Sequence, residues 1–112
     1  MPRVTHTVLL KFKPSTPADV VAGTKERLEA LNGTVAGMAS LCVRPDAGLA
    51  EGNHTLVLRG DFDSAEAYTA YAKVPRHLAV VQWFKPHLVE GGRAAVQHTA
   101  ESGSTALPLW ST

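Results

Sequence analysis

The chain predicts a ferredoxin-like α+β sandwich, one antiparallel sheet with helices on one face. Three observations carry that reading: an opening segment that alternates with period two, two later segments of helical apolar spacing, and Pro or Gly at nearly every boundary. The resulting order, strand–helix–strand–strand–helix–strand, is that of the split βαβ sandwich.

Val4 to Phe12 reads as the first strand, with His6, Val8, Leu10 and Phe12 on one face and Leu9 on the other; Pro14 ends it. Thr16-Pro17-Ala18-Asp19 reads as a helix start, with Thr16 as cap and Pro17 at the first helical position. Val20, Thr24, Leu28 and Leu31 follow at helical spacing, and Asn32-Gly33 stops the helix through a left-handed residue. Met38 to Val43 is the second strand. A turn-rich loop from Pro45 to Asn53 leads to the third, His54 to Phe62. Asp63-Ser64-Ala65-Glu66 resembles a capping box opening a short helix with Ala67 and Tyr71 on one face. Pro75 interrupts it, and a further helix aligns His77, Val80, Val81, Phe84 and Leu88, shortened or kinked by Pro86. Gly91-Gly92 is a break before a last strand, Arg93 to Thr99. The reading is one domain, residues 1–99, and a small polar tail, residues 100–112, relieved by Leu107-Pro108-Leu109-Trp110.

A chain of 112 residues builds one core. Eleven basic and ten acidic residues leave a formal charge of +1, so no basic footprint points to nucleic acid or to an anionic membrane surface. No apolar run is long enough to span a bilayer, and a lone cysteine, Cys42, suits a reducing compartment; the expectation is a cytoplasmic domain. Leu9, Val57 and Val43 are assigned to the sheet face away from the helices. That mixed face favours a partner sheet, hence a two-fold homodimer closing into an α/β barrel.

His6-Thr-Val-Leu-Leu-Lys-Phe-Lys-Pro14, Phe62-Asp-Ser64, Tyr71, Pro75-Arg-His77 and Lys85-Pro86-His-Leu88 together resemble the dimeric stress-responsive A/B barrel (Dabb) domain family, over about Val4 to Thr99. The resemblance implies the dimeric ferredoxin-like barrel. The family includes a plant polyketide cyclase that closes a linear tetraketide by an aldol step. By that likeness His77 and Tyr71 occupy the places of its acid–base histidine and tyrosine, and His6 that of a strand histidine lining the cavity. Two departures stand out: Val74 replaces the first histidine of the usual His-Pro-x-His, and His54-Thr55-Leu56 replaces Tyr-Thr-His. The second alters a pocket wall, so the family's known substrate does not carry over.

His77 shares a helix face with apolar residues, so its ring is expected to point inward. Burial then favours the neutral form, which acts as a general base or simply bonds a backbone carbonyl. Tyr71 is either an oxyanion donor or a core aromatic. His6 either orients substrate or is structural. The expected lining of the cavity is His6, Val8, Leu10, Leu28, Leu58, Val80, Trp83 and Leu88, with Trp83, Phe84 and Trp110 as wall or lid. Arg76 and Lys73 stand near the Pro75 break, where they either draw an anionic group to the mouth or are solvated charges. His6, His54, His77, His87 and His98 lack the short paired spacing of a zinc motif, so neither metal nor cofactor is expected. Cys42 reads as a small buried hydrophobe.

Three function classes remain. One is a cofactor-free cyclase-like lyase that acts on a hydrophobic carbonyl or polyketide-like compound. The second is a non-catalytic ligand-binding dimer of stress response. The third, by fold analogy, is a cofactor-free monooxygenase of an aromatic substrate, which would consume oxygen where an aldol closure consumes none.

Overall fold

The computed structural model describes residues 2–100. Strand β1 (Arg3–Phe12) leads to helix α1 (Ala18–Glu29) and strands β2 (Met38–Pro45) and β3 (Leu56–Phe62). Helices α2 (Ala65–Lys73) and α3 (Pro75–Phe84), a 3-10 turn (Lys85–His87) and β4 (Leu88–Ala100) follow. The four strands form one antiparallel sheet in the order β2-β3-β1-β4. This is the ferredoxin-like α+β fold.

The period-two pattern of β1 decides which face is inside. Val4, His6, Val8, Leu10 and Phe12 are all buried towards the helices, while Leu9 on the other face is 37% exposed. Opposite residues of paired strands share a face, so Val8 sits between Leu58 of β3 and Ala95 of β4. The same rule corrects the assignment of Val43. It pairs with Leu58, a core residue, and is itself fully buried beneath α1. The outer face carries Leu9 and Val57 with the polar Thr5, Thr7, Arg59 and Asp61. Cys42, opposite Arg59, shares that face and is half-buried rather than buried.

Several boundaries differ from the sequence reading for local reasons. Pro17 itself caps α1, and the Thr16 hydroxyl instead donates to the His87 carbonyl at 3.3 Å. Strand β3 begins at Leu56, because Thr55 is used as a staple: its hydroxyl accepts from Phe12 N at 3.0 Å and its N–H donates to Leu10 O. Only half of the capping box forms. Ser64 accepts from Ala67 N at 3.1 Å, and Ala67 rather than a glutamate stands at the reciprocal position. Leu88 opens β4 instead of ending a helix, since Pro86 converts the last turn to 3-10.

Gly91 and Gly92 lie inside β4, where the pairing with β1 slips between Leu10 and Phe12. Gly91 takes φ +69°, and a Cβ on Gly92 would lie 2.6 Å from Lys11 O, so this bulge needs both glycines. The tail of residues 100–112, including Leu107 to Trp110, lies outside the described residues except for Ala100, which closes β4.

Candidate functional site

Tyr71 is in the last turn of α2 and His77 in the first turn of α3. On one continuous helix, six residues would set them about 120° apart around the axis and about 9 Å along it. Pro75 prevents that continuity. Val74 is forced to extended geometry (φ −60°, ψ 127°), serving both as the end of α2 and the start of α3. The bend brings the two rings to 4.6 Å between centroids, tilted by 46°. From β1, His6 approaches the same place, its ring 6.3 Å from Tyr71 and 4.8 Å from Tyr68.

These three side chains converge on a cavity of about 210 Å³. Val8, Leu10, Leu28 and Leu58 line it as the sequence led us to expect. Val80, Trp83 and Leu88 do not. The cavity-facing arc of α3 is His77, Leu78 and Val81, with Phe84 beneath, so Val80 falls on the side turned to the core. Trp83 lies further round, its indole against Gly23 of α1 and under the Arg27 guanidinium at 4.0 Å. Leu88, on β4, lines a separate concavity. Arg76 and Lys73 are exposed and line none of the cavities described; the cation of the site is Arg93.

Hydrogen bonding fixes the imidazole tautomers. His77 Nδ1 donates to Ala72 O at 3.2 Å, because a carbonyl only accepts, and this leaves a lone pair on Nε2. Gln97 Nε2 donates to His6 Nδ1 at 2.8 Å, so that ring carries its proton on Nε2. Burial lowers the His77 pKa below 6.5, helped by the Arg93 charge and opposed by the Ala72 bond. Burial, then Arg93 and His77, pull His6 down to about 4. Tyr71 is pushed up to about 12 by burial and by Tyr68. At neutral pH the cavity therefore presents two neutral imidazoles, a protonated phenol and one guanidinium. Among the described residues the Tyr71 hydroxyl makes no protein hydrogen bond; the residue is 1% exposed, and its oxygen is not sealed in the core. What results is a base (His77 Nε2), a donor (Tyr71) and an oriented second donor (His6) around an apolar floor.

His54 and His98 sit at concavities on the outer side of the sheet, away from this cavity. Among the described residues no three His, Cys, Asp or Glu side chains group as metal ligands, and no helix is long and apolar enough to cross a membrane. The sequence reading missed Leu78, Arg93, Gln97 and Tyr68, and aligned Val81 with His77 without placing it in the cavity. Val81 was legible from its i+4 spacing to His77. Arg93 and Gln97 were not, because their pairing with the distant β1 sets which residues of β4 face the helices.

The stress responsive A/B barrel domain model, Dabb, matches residues 4–96. The chain belongs to the Dabb family. No curated protein matches it. Among solved structures, a dimeric ferredoxin-like protein of unknown function from Thermobifida fusca is 25% identical, with 88% of this chain and 92% of that chain covered and a TM-score of 0.80. A dimeric protein of ferredoxin-like fold from Bacteroides fragilis is 24% identical, covering 88% and 96% with a TM-score of 0.76. A hydroxynitrile lyase from Passiflora edulis is 14% identical, covering 95% and 97% with a TM-score of 0.75. The last two are likenesses of fold. The Dabb match spans β1 through most of β4, and so includes Tyr71, His77 and Arg93.

Proposed function

We propose that the protein is a homodimer that binds a small hydrophobic carbonyl compound of polyketide type and performs aldol-type acid–base chemistry on it without a cofactor. The observation that carries this is the pairing of His77 and Tyr71 across the Pro75 bend, with Nε2 unprotonated and the phenol unpartnered on one cavity wall. Their match to the tyrosine and histidine of the family's plant polyketide cyclase supports the same reading. Dimeric relatives, and an outer sheet face that leaves Leu9 37% and Val96 56% exposed, support the homodimer.

In the reaction, His77 Nε2 takes a proton from the carbon beside a carbonyl, and the C–H electron pair becomes the enolate. Tyr71 donates to the enolate oxygen as charge builds there. The enolate carbon then attacks a second carbonyl of the same molecule, forming the C–C bond, and the imidazolium returns its proton to the new alkoxide. Burial suits both partners: it keeps His77 in the base form and Tyr71 in the donor form at neutral pH. The cavity is below the roughly 300–1,000 Å³ of sites for drug-sized ligands, so the substrate is small.

The test is turnover of short linear β-polycarbonyl compounds by the wild type, His77→Gln and Tyr71→Phe. A loss of about 10²–10⁴-fold in His77→Gln, on a protein that melts like the wild type, is the expected result. Undiminished turnover in that variant rejects the mechanism.

A further inference from the structure

Arg93 is the one permanently charged residue on the wall of the cavity, and among the described residues it makes no ion pair and no hydrogen bond. It also stands at a junction. A second concavity of about 400 Å³, formed beside the Gly91–Gly92 bulge, shares Arg93, Val81 and Phe84 with the inner one of about 210 Å³. The pairing with β1 places the guanidinium there: Arg93 stands opposite Leu10, on the helix side of the sheet, as the last regular pair before the slip at the bulge. The charges of the outer concavity are Lys85, Glu90 and Arg93, a net positive set. Glu90 shares that concavity with Arg93, yet the two form no ion pair.

We propose that Arg93 is the anchor for a carboxylate on the ligand, so that the substrate class is a small hydrophobic carbonyl compound bearing an acid group. Its apolar part lies over Leu10, Leu58 and Val81, and its acid group on the guanidinium between the two concavities. This rests on the reading of the cavity as a carbonyl-compound site and narrows it. A planar guanidinium offers two parallel N–H donors that match a carboxylate, which a neutral ketone or ester cannot engage in the same way. The neutral imidazoles and the phenol can hydrogen-bond an acid or an amide alike, so the preference for a charged group falls on Arg93, the cation of the inner cavity.

Calorimetric titration of the full chain with phenylacetate and phenylacetamide, an anionic and neutral pair of the same shape, tests this. The wild type is expected to bind the carboxylate about tenfold more tightly than the amide. Arg93→Gln is expected to lose that preference, and Arg93→Lys, which keeps the charge without the fork, to show an intermediate one. Thermal melting checks that both variants fold. No preference in the wild type, no binding of either probe, or a preference kept in Arg93→Gln overturns the proposal. Because this readout is equilibrium binding, it separates from the turnover test. A carboxylate preference lost in Arg93→Gln beside undiminished turnover in His77→Gln removes the mechanism and keeps the anchor; the opposite pair of results does the reverse.

Discussion

The sheet has a covered half and an open half, and they are built by different rules. Over β2, β3 and β1, helix-facing positions are Leu41, Val43, Leu56, Leu58, Phe62, Val8 and Leu10, all buried under the helices. On β4 the corresponding positions are Arg93, Ala95 and Gln97, all exposed. The helices run out before the fourth strand. His6, Tyr71 and His77 stand at that margin, close enough to the core to be held still and close enough to the gap to meet a ligand. Even the two sheet edges differ. The Glu29 carboxylate accepts from Val43 N at 3.1 Å and from Lys25 at 2.7 Å, covering part of the β2 edge. A bulge shapes β4 instead. Packing is complete on the covered half, and the proposed site lies where it stops.

Substitutions on the two halves should separate accordingly. Phe62 is fully buried and meets Tyr68 and Tyr71 at 5.7 and 5.4 Å between ring centroids. Phe62→Ala is expected to cost about 3–5 kcal/mol in urea denaturation. Arg93→Gln, on the open half, should stay within about 0.5 kcal/mol. Equal costs would mean that the margin is packed as tightly as the core.

The margin has a second signature, its dependence on pH. Folded His6 titrates at about 4, against 6.5 for the unperturbed imidazole. As pH falls from 6.5, the unfolded chain takes up this proton first, so stability drops until about pH 4 and then levels off for this group. The drop is on the order of 3 kcal/mol. His77, lowered from the same starting value, adds in the same direction. His6→Gln should flatten the curve between pH 6.5 and 4. An unchanged curve would place the proton uptake elsewhere.

The covered half was the more legible in sequence, and the reason is periodicity. Alternation in β1 and the Ala67–Tyr71 spacing in α2 depend on a few adjacent residues, and both read correctly. The Pro75 bend was legible too, since proline acts on its own backbone and on the residue before it. Val43 was misplaced because its face depends on the slip between Met38 and Ser40 in the pairing with β3. Val80 and Trp83 were assigned to the cavity because a helical stripe shows that a face is buried, without showing against what. Arg93 and Gln97 carry no apolar signal. Their place follows from a register with β1 that spans more than eighty residues.

Gln97 gives the finest probe of the margin. Its bond to His6 Nδ1 joins an exposed β4 side chain to a buried β1 ring, and so crosses the boundary between the two halves. Gln97→Leu removes the donor while keeping much of the side-chain volume. A hydrogen bond of this kind contributes about 1 kcal/mol net, so the stability change should be small. The tautomer is the stronger readout. With Gln97 present, His6 holds its proton on Nε2; without it, Nδ1 loses the partner that fixes that choice, and ¹⁵N shifts should report a mixture of the two neutral forms. A single unchanged Nε2–H tautomer in Gln97→Leu would show that the covered half alone orients the ring, and that β4 does not reach into the site through this residue.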